Sequence, residues 1–323
     1  MSNVIMTSYT QSALQTLLFA SDSLEKTQSR SDSGLKIASA ADNAGYWSVA
    51  TGMRSDKSIV SSIADALNLG ASKVDTSYEA VNSAIDILDQ ITALLETAYE
   101  AGTDRTTLNT SLRELKGNLQ SVTQAATFSG DNWLYNTDAS MIDNYTVPAS
   151  FQRSVSGSVT LNFISIGSSQ STLIDTQDAS RGLFTGAIDA DTLVDPENPT
   201  GTPRNYYLLD VGSATPVAGT EINISEATTT SDLDDMIAVV SNMTDQLNRL
   251  GSSLGTMSNR IDQQVTYAAA LNDTFDESIS RLVDTDMEEE SARLAAFKTQ
   301  QQVAMQVLSL LNGHQQSLQV LFN

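Results

Sequence analysis

The chain contains no cysteine. That excludes disulfides, thiolate nucleophiles and sulfur-ligated metal centres. It has one histidine, His314, so HExxH pairs and His-based metal clusters are excluded. Cations are scarce: 17 Lys+Arg stand against 39 Asp+Glu, a formal net charge of −22. Such a balance lacks the clustered Lys and Arg that nucleic acid demands, and it speaks equally against anionic lipid. It also keeps a concentrated protein soluble. No run approaches the ~20 apolar residues that span a bilayer. The first stretch, "MSNVIMTSYTQSALQTLLFASDSLEK", lacks a basic n-region and a continuous apolar h-region. The expectation is a cytoplasmic protein, or one that leaves the cell without a cleaved signal. Walker A and dinucleotide fingerprints are missing as well. The five prolines all fall in one part of the chain, between Pro148 and Pro216.

What is present is helical periodicity. The 323 residues suffice for about two domains. Near the N-terminus Leu14, Leu17, Ser21, Leu24, Gln28, Ser31 and Leu35 step by three and four, a seam weakened by polar residues. Val60, Leu67, Val74, Val81, Leu88 and Leu95 are spaced by heptads. Between them stand Ile63, Gly70, Ser77, Ala84, Ile91 and Ala98, so large and small residues alternate and predict close helix approach. "EAGTDRTT" breaks this helix, with Gly102 as its C-cap and Asp104 or Thr106 as the next N-cap. A third helix runs through Leu108, Leu112, Leu115, Leu119, Val122 and Ala126 and closes at "FSGDNWL".

The C-terminal half mirrors the first. Val240, Met243, Leu247, Leu250, Leu254, Met257, Ile261, Gln264, Ala268, Leu271, Phe275, Ser278 and Leu282 hold heptad spacing. "DTDMEEES" interrupts it. A new phase follows through Leu294, Phe297, Gln301, Ala304, Leu308, Leu311, Gln315, Leu318 and Phe322. The last helix carries a second apolar stripe, Val303, Val307, Leu310 and Leu321, and so needs partners on two sides. The middle differs: the runs "SVTLNFISI", "NYYLLDV" and "TEINIS" alternate like strands.

Isolated amphipathic helices are marginal in water, so the two helical arms are expected to nest. The fold class is mainly α: a nested long-helix coiled-coil rod from both chain ends, with a small β-rich inserted domain. The expected division is terminal helices at 1–45 and 284–323, a rod at 46–138 and 232–283, and a β-rich outer domain at 139–231.

Enzymatic constellations are missing, and neither an activity nor a cofactor is expected. A Ser–His–Asp triad through His314 would set its base on a terminal helix, without the rigid support a triad needs. "DTDMEEES" lacks the EF-hand pattern and reads as a solvated face or helix start. Two readings remain. In one, the terminal stripes outnumber the partners a single chain offers, which marks association surfaces; head-to-tail association without closure gives an open filament. In the other, the helices lie on a membrane, but the last helix has a Gln-rich face with few cations, unlike membrane-surface helices.

The residues favour the first reading by resemblance. "TQSRSDSGLKIASAADNAGYWSVATGMRSD" resembles the N-terminal signature of bacterial flagellins. "FSGDNWL" is similar to the close of that family's N-terminal arm. "SLGTMSNRID" and "DMEEESARLAAFKTQQQVAMQVLSLLN" resemble its C-terminal arm. The resemblance covers roughly 1–138 and 232–323, and "DNAGYWSVATGMRSD" with "DTDMEEES" looks most like the rhizobial, complex-filament kind.

The resemblance implies a structural subunit that self-assembles into the flagellar filament, is exported through the flagellar type III channel and resides outside the cell. The alternative is the hook–filament junction protein, a flagellin-like adaptor. Implied partners are copies of the chain, possibly other flagellins, hook-associated and cap proteins, and an export chaperone on Leu294–Phe322; nucleic acid and membrane are not among them. The assembly interface is expected at Leu14, Leu17, Leu24, Tyr46, Trp47, Leu294, Phe297, Leu308, Leu311, Leu318 and Phe322. In the inter-domain turn, Ser33 and Gly34 end the outer helix and Asp42 or Asn43 caps the next. Ser29–Ala50 resembles the segment that plant immune receptors read, with departures at Ser31, Ala41 and Asn43. Gln90, Thr92 and Ala93 occupy the places of an Arg-x-Arg-Glu face bound by a vertebrate innate receptor, so charge-assisted bonds are lost there.

Overall fold

The computed structural model describes residues 2–194 and 201–321, with side chains placed from residue 8 to residue 311. Three helices come first: α1 (Ser2–Ser33), α2 (Ala44–Thr97) and α3 (Arg105–Ala125). Short strands follow: β1 (Thr127–Phe128), β2 (Asp131–Asn132), β3 (Tyr135–Asn136), β4 (Asn144–Arg153) and β5 (Val159–Gly167). Next are α4 (Ser168–Ser171), β6 (Ile174–Asp175), β7 (Ile188–Asp189), α5 (Asp191–Val194), β8 (Asn205–Tyr207) and β9 (Thr220–Glu221). The long helices α6 (Thr230–Val283) and α7 (Met287–Leu321) complete the chain. The mainly α class with a small strand-containing middle is therefore what the residues form.

The chain divides into two compact units. One comprises Met1–Ser58 and Leu271–Asn323, the other Ile59–Ala270. Both limits fall inside long helices, in α2 (Ala44–Thr97) and in α6 (Thr230–Val283). In the second unit Val147, Ile164, Leu173, Phe184, Leu208 and Ile222 bury in the same core as α2, α3 and α6.

In the unit Ile59–Ala270, the heptad positions of α2 are where its core lies. Leu67, Val74, Val81, Leu88 and Leu95 are fully buried, and so are Ala84, Ile91 and Ala98 between them. The α6 seam from Val240 to Ile261 is buried with them, joined by Leu233 and Met236 upstream. Thr229 and Asp232 start α6 with reciprocal bonds: the Thr229 amide donates to Asp232 Oδ2 (2.8 Å) and the Asp232 amide to Thr229 Oγ1 (3.2 Å). Asp104 caps α3, accepting from the amides of Thr106 and Thr107. Gly102, expected as the C-cap of α2, lies beyond the helix end at Thr97, in the turn that leads to Asp104, with φ +93°.

Lys116 is buried on α3. It donates to Glu221 Oε1 at 2.9 Å and to the Ile222 carbonyl, fastening β9 and the residues after it to the helix. Burial holds its pKa below the ordinary lysine value despite the glutamate. "FSGDNWL" turns as a hairpin: Ser129 and Gly130 both have positive φ between β1 and β2, the signature of a two-residue type I′ loop. Trp133 stacks on Tyr145 with ring centroids 5.1 Å apart.

β4 and β5 pair antiparallel, with Val147 opposite Ile164 and a register shift between Pro148 and Ser150. A proline is tolerated here because a two-stranded ribbon has only edge strands. "NYYLLDV" and "TEINIS" form only the short β8 and β9. Leu208, Leu209, Ile222 and Ile224 beyond them are buried in the core without a strand ladder.

Candidate assembly interface

In the unit formed by the chain ends, α1 packs along α7. The α1 seam is built from small side chains. Ala20 and Thr27 are buried, with Leu17 and Leu24 half-buried between them. Leu14, expected on this seam, is 46% exposed, and Gln28 is exposed too. Small residues let the two backbones approach, and that shifts the seam off the larger Leu14. On α7 the expected series holds: Leu294, Phe297, Gln301, Leu308 and Leu311 are half-buried and Ala304 is buried. Gln301 Nε2 donates to Ser21 Oγ across the pair at 3.0 Å. Phe322 and the side chains of Gln315, Leu318, Leu321 and His314 lie outside the described residues.

Large apolar side chains are left outside this seam. On α1, Leu18 is 61% and Phe19 65% exposed; on α7, Val303, Met305, Val307 and Leu310 are exposed, Leu310 to 71%. Val303 and Val307 border an apolar groove of about 310 Å³ whose α1 side is Ala13 and Thr16. The second α7 stripe read from the sequence is thus open. Leu18 and Phe19 were missed, although apolar residues off a seam are the signal that marks them.

The helix breaks are paired. Gly34, at φ +69°, ends α1, and its amide donates to the Arg30 carbonyl at 2.8 Å. Ser33 Oγ donates back to the Ser29 carbonyl at 2.8 Å. Leu35 then forms an antiparallel bridge with Asp284. The Lys36 amide donates to the Val283 carbonyl (2.8 Å) and the Thr285 amide to the Gly34 carbonyl (2.9 Å). Lys36 Nζ adds a bond to the Arg281 carbonyl at 2.8 Å. Over this bridge a small cluster of Ile37, Ala50 and Val283 closes, with Leu35, Trp47, Ile279 and Leu282 packed against it. Trp47 therefore packs in part within its own chain and stays half-exposed. Its neighbour Tyr46 is 52% exposed.

Asp42 and Asn43 divide the turn between them. Asp42 Oδ2 accepts from the amides of Ala38 (3.1 Å) and Ser39 (2.9 Å) and from Ser39 Oγ (3.0 Å). The Ser39 amide foremost holds its carboxyl below the usual aspartate range. Asn43 is the cap: its Oδ1 accepts from the amides of Gly45 and Tyr46, both at 3.1 Å. Replacing it, Asn43→Ala, should cost about 1 kcal/mol. Thermal melts of the monomer measure this, and Asp42→Ala, which leaves the cap in place, is the control.

"DTDMEEES" is the start of α7. Asp286 Oδ1 accepts from the amides of Glu288 (2.9 Å) and Glu289 (3.2 Å). Glu288, Glu289 and Glu290 stand in the first turn, where the helix dipole favours acid. Among the described residues no acidic cluster is arranged to hold a metal ion. No described helix is long and apolar enough to cross a membrane. Gln90 and Ala93 are exposed on α2, and Thr92 is half-buried with its hydroxyl bonded to the Leu88 carbonyl at 3.0 Å.

Comparison with known proteins decides the family. Residues 4–139 match the bacterial flagellin N-terminal helical region and residues 237–322 the bacterial flagellin C-terminal helical region. The chain belongs to the bacterial flagellin family. It is 45% identical to Flagellin C of Rhizobium meliloti (strain 1021) over 322 residues, covering 100% of this chain and 99% of the relative. It is 32% identical to Flagellin A of the same strain, covering both chains fully (100% each), and 33% identical to a Flagellin of Brucella melitensis biotype 1, covering 100% of this chain and 99% of that one. As a flagellin, it is a structural subunit of the flagellar filament, and the hook–filament alternative finds no better support.

Proposed function

We propose that the apolar faces left open on α1 and α7 are the surfaces through which copies of this flagellin stack into the filament. One observation carries the reading: the fully buried positions between the two helices are the small Ala20, Thr27 and Ala304, while Leu18, Phe19, Val303, Val307 and Leu310 face outward. Exposed stripes of this kind mark association surfaces, and a heterologous contact that does not close builds an open helix. Leu14, Leu17, Leu24, Tyr46, Trp47, Leu294, Phe297, Leu308 and Leu311 belong to the same contact region, as do Leu318 and Phe322. The filament is the extracellular flagellum. An export chaperone would cover the double-striped α7 before assembly, and hook-associated and cap proteins would meet the same ends. The organisation suited to these roles has terminal core helices, a rod and an outward strand region.

Hydrogen exchange tests the proposal. Amides of α1 and α7 in a dilute monomer should exchange at least ~100-fold faster than those of α2 in Ile59–Ala270, and should become protected in the polymer. Equal protection in both states would remove the proposed role. The α2 face at Gln90, Thr92 and Ala93 lacks the two guanidiniums and the carboxylate that charge-assisted recognition uses. Weak or absent signalling through the vertebrate innate receptor is expected. A reporter-cell assay in which this flagellin shows full potency would refute that.

A further inference from the structure

Within the unit Ile59–Ala270, the segment 168–188 and α6 border a half-open cavity of about 510 Å³. Cavities of this size suit small ligands. Its α6 wall presents Gln246, Arg249 and Ser253, which share one helix face by their spacing of three and four. The facing wall presents Ser169, Gln170 and Arg181. No carboxylate lines the cavity among the described residues, in a chain with 39 Asp+Glu against 17 Lys+Arg.

The two guanidiniums differ. Arg181 is held from outside the cavity by two carboxylates: its Nε lies 3.3 Å from Asp178 Oδ2 and its Nη1 3.9 Å from the buried Asp175 Oδ2, and Nη1 donates to the Ala139 carbonyl at 3.3 Å. Arg249 is exposed and, among the described residues, forms no ion pair with a carboxylate. The wall behind Arg181 is close-packed backbone: a Cβ on Gly182 would lie 2.8 Å from the Asp175 nitrogen, and one on Gly186 2.7 Å from the Gly182 oxygen. A stiff wall fixes the donors it carries.

We propose that this cavity binds a small oxyanion, a phosphate or a carboxylate, anchored by Arg249. Arg181 and the side-chain amides of Gln170 and Gln246 complete the donor set. A guanidinium fits oxyanion geometry through paired N–H donors. Gln170, the Ser169 hydroxyl and the second N–H of Gln246 Nε2, whose first goes to Asn242 Oδ1 at 2.7 Å, add neutral donors, while the Ser253 hydroxyl already donates to the Arg249 carbonyl at 3.0 Å. The site is separate from the terminal helices and does not depend on the assembly role.

The test titrates the isotope-labelled monomer with sodium phosphate and, separately, sodium acetate, at ionic strength held constant with sodium chloride. Saturable amide shifts confined to 168–188 and 246–253 are expected with one of the two anions, and the arm that saturates names the chemistry. Arg249→Gln should raise the apparent Kd at least about tenfold. Arg113→Gln, an exposed arginine on α3 outside the cavity, should leave it unchanged. The proposal is overturned if neither anion saturates by about 20 mM, or if Arg249→Gln binds as the parent does. Arg249 is exposed, so its variant folds, and unchanged far-UV circular dichroism checks this.

Discussion

A Leu310→Asp variant should stay monomeric at concentrations where the parent chain elongates seeded filaments. Leu310 is 71% exposed on α7, so the monomer does not depend on it, and its helix content and melting should match the parent. In the proposed filament contact the same side chain would be buried against a neighbour. Loss of a buried leucine removes roughly 1.5–3 kcal/mol per subunit, and burying an unpaired carboxylate adds several more. Because elongation adds one such contact per step, the critical concentration should rise by at least about 100-fold. Sedimentation after seeding gives the number. Leu311→Asp should also abolish polymerisation, but Leu311 is half-buried on the seam facing α1, so that variant should lose helix content as well. Elongation of Leu310→Asp at the parent's critical concentration would show that the open stripe is not a contact.

Gly70→Ala should lower the melting temperature of the monomer by about 5–10 °C, which corresponds to about 1–3 kcal/mol of overpacking. Gly70 sits where α2 meets β4. A Cβ there would lie 2.4 Å from Val147 Cγ1 and 2.7 Å from Cγ2, and Val147 is itself buried and laddered to Ile164. Neither partner has room to yield. Ala is the better helix former, so at an open helical site the sign reverses. Gly117 on α3 has no heavy atom within 4 Å of its virtual Cβ, and Gly117→Ala should stabilise by about 0.5–1 kcal/mol. Val147→Ala should rescue Gly70→Ala. A double-mutant cycle without coupling would mean that the close approach does not govern this position.

Gly70 also shows how far the sequence could be read. Its place between Ile63 and Ser77 in the heptad series announced a close approach, but the facing element was hidden. β4, "NYTVPASF" onward, was not among the strand-like runs, and it contains Pro148, which a two-stranded ribbon accepts. The seams of α2 and α6 were legible because large apolar residues mark them at fixed spacing. The α7 seam was legible for the same reason. That of α1 was not, since close-packed helices use Ala20 and Thr27, and such residues carry little hydrophobic signal. Asp42 and Asn43 are equally good caps in isolation; only the fold shows that Asp42 is committed to Ser39. The cluster on Trp47 was hidden because it draws on Ile279, Leu282 and Val283, far along the chain. The cavity beside Arg249 left no trace, since the wall that faces α6 comes from 168–188, a segment without helical periodicity.

The bridge between Leu35 and Asp284 joins stretches whose contacts reach across 245 positions, as the Lys36–Arg281 bond records. A ribosome therefore completes nearly the whole polypeptide before the first break in α1 meets its mate. Until then Gly34 and Lys36 have no Thr285 or Val283 to bond. Each tip of this flagellin carries one half of the clasp, and loss of either half leaves the other unfastened.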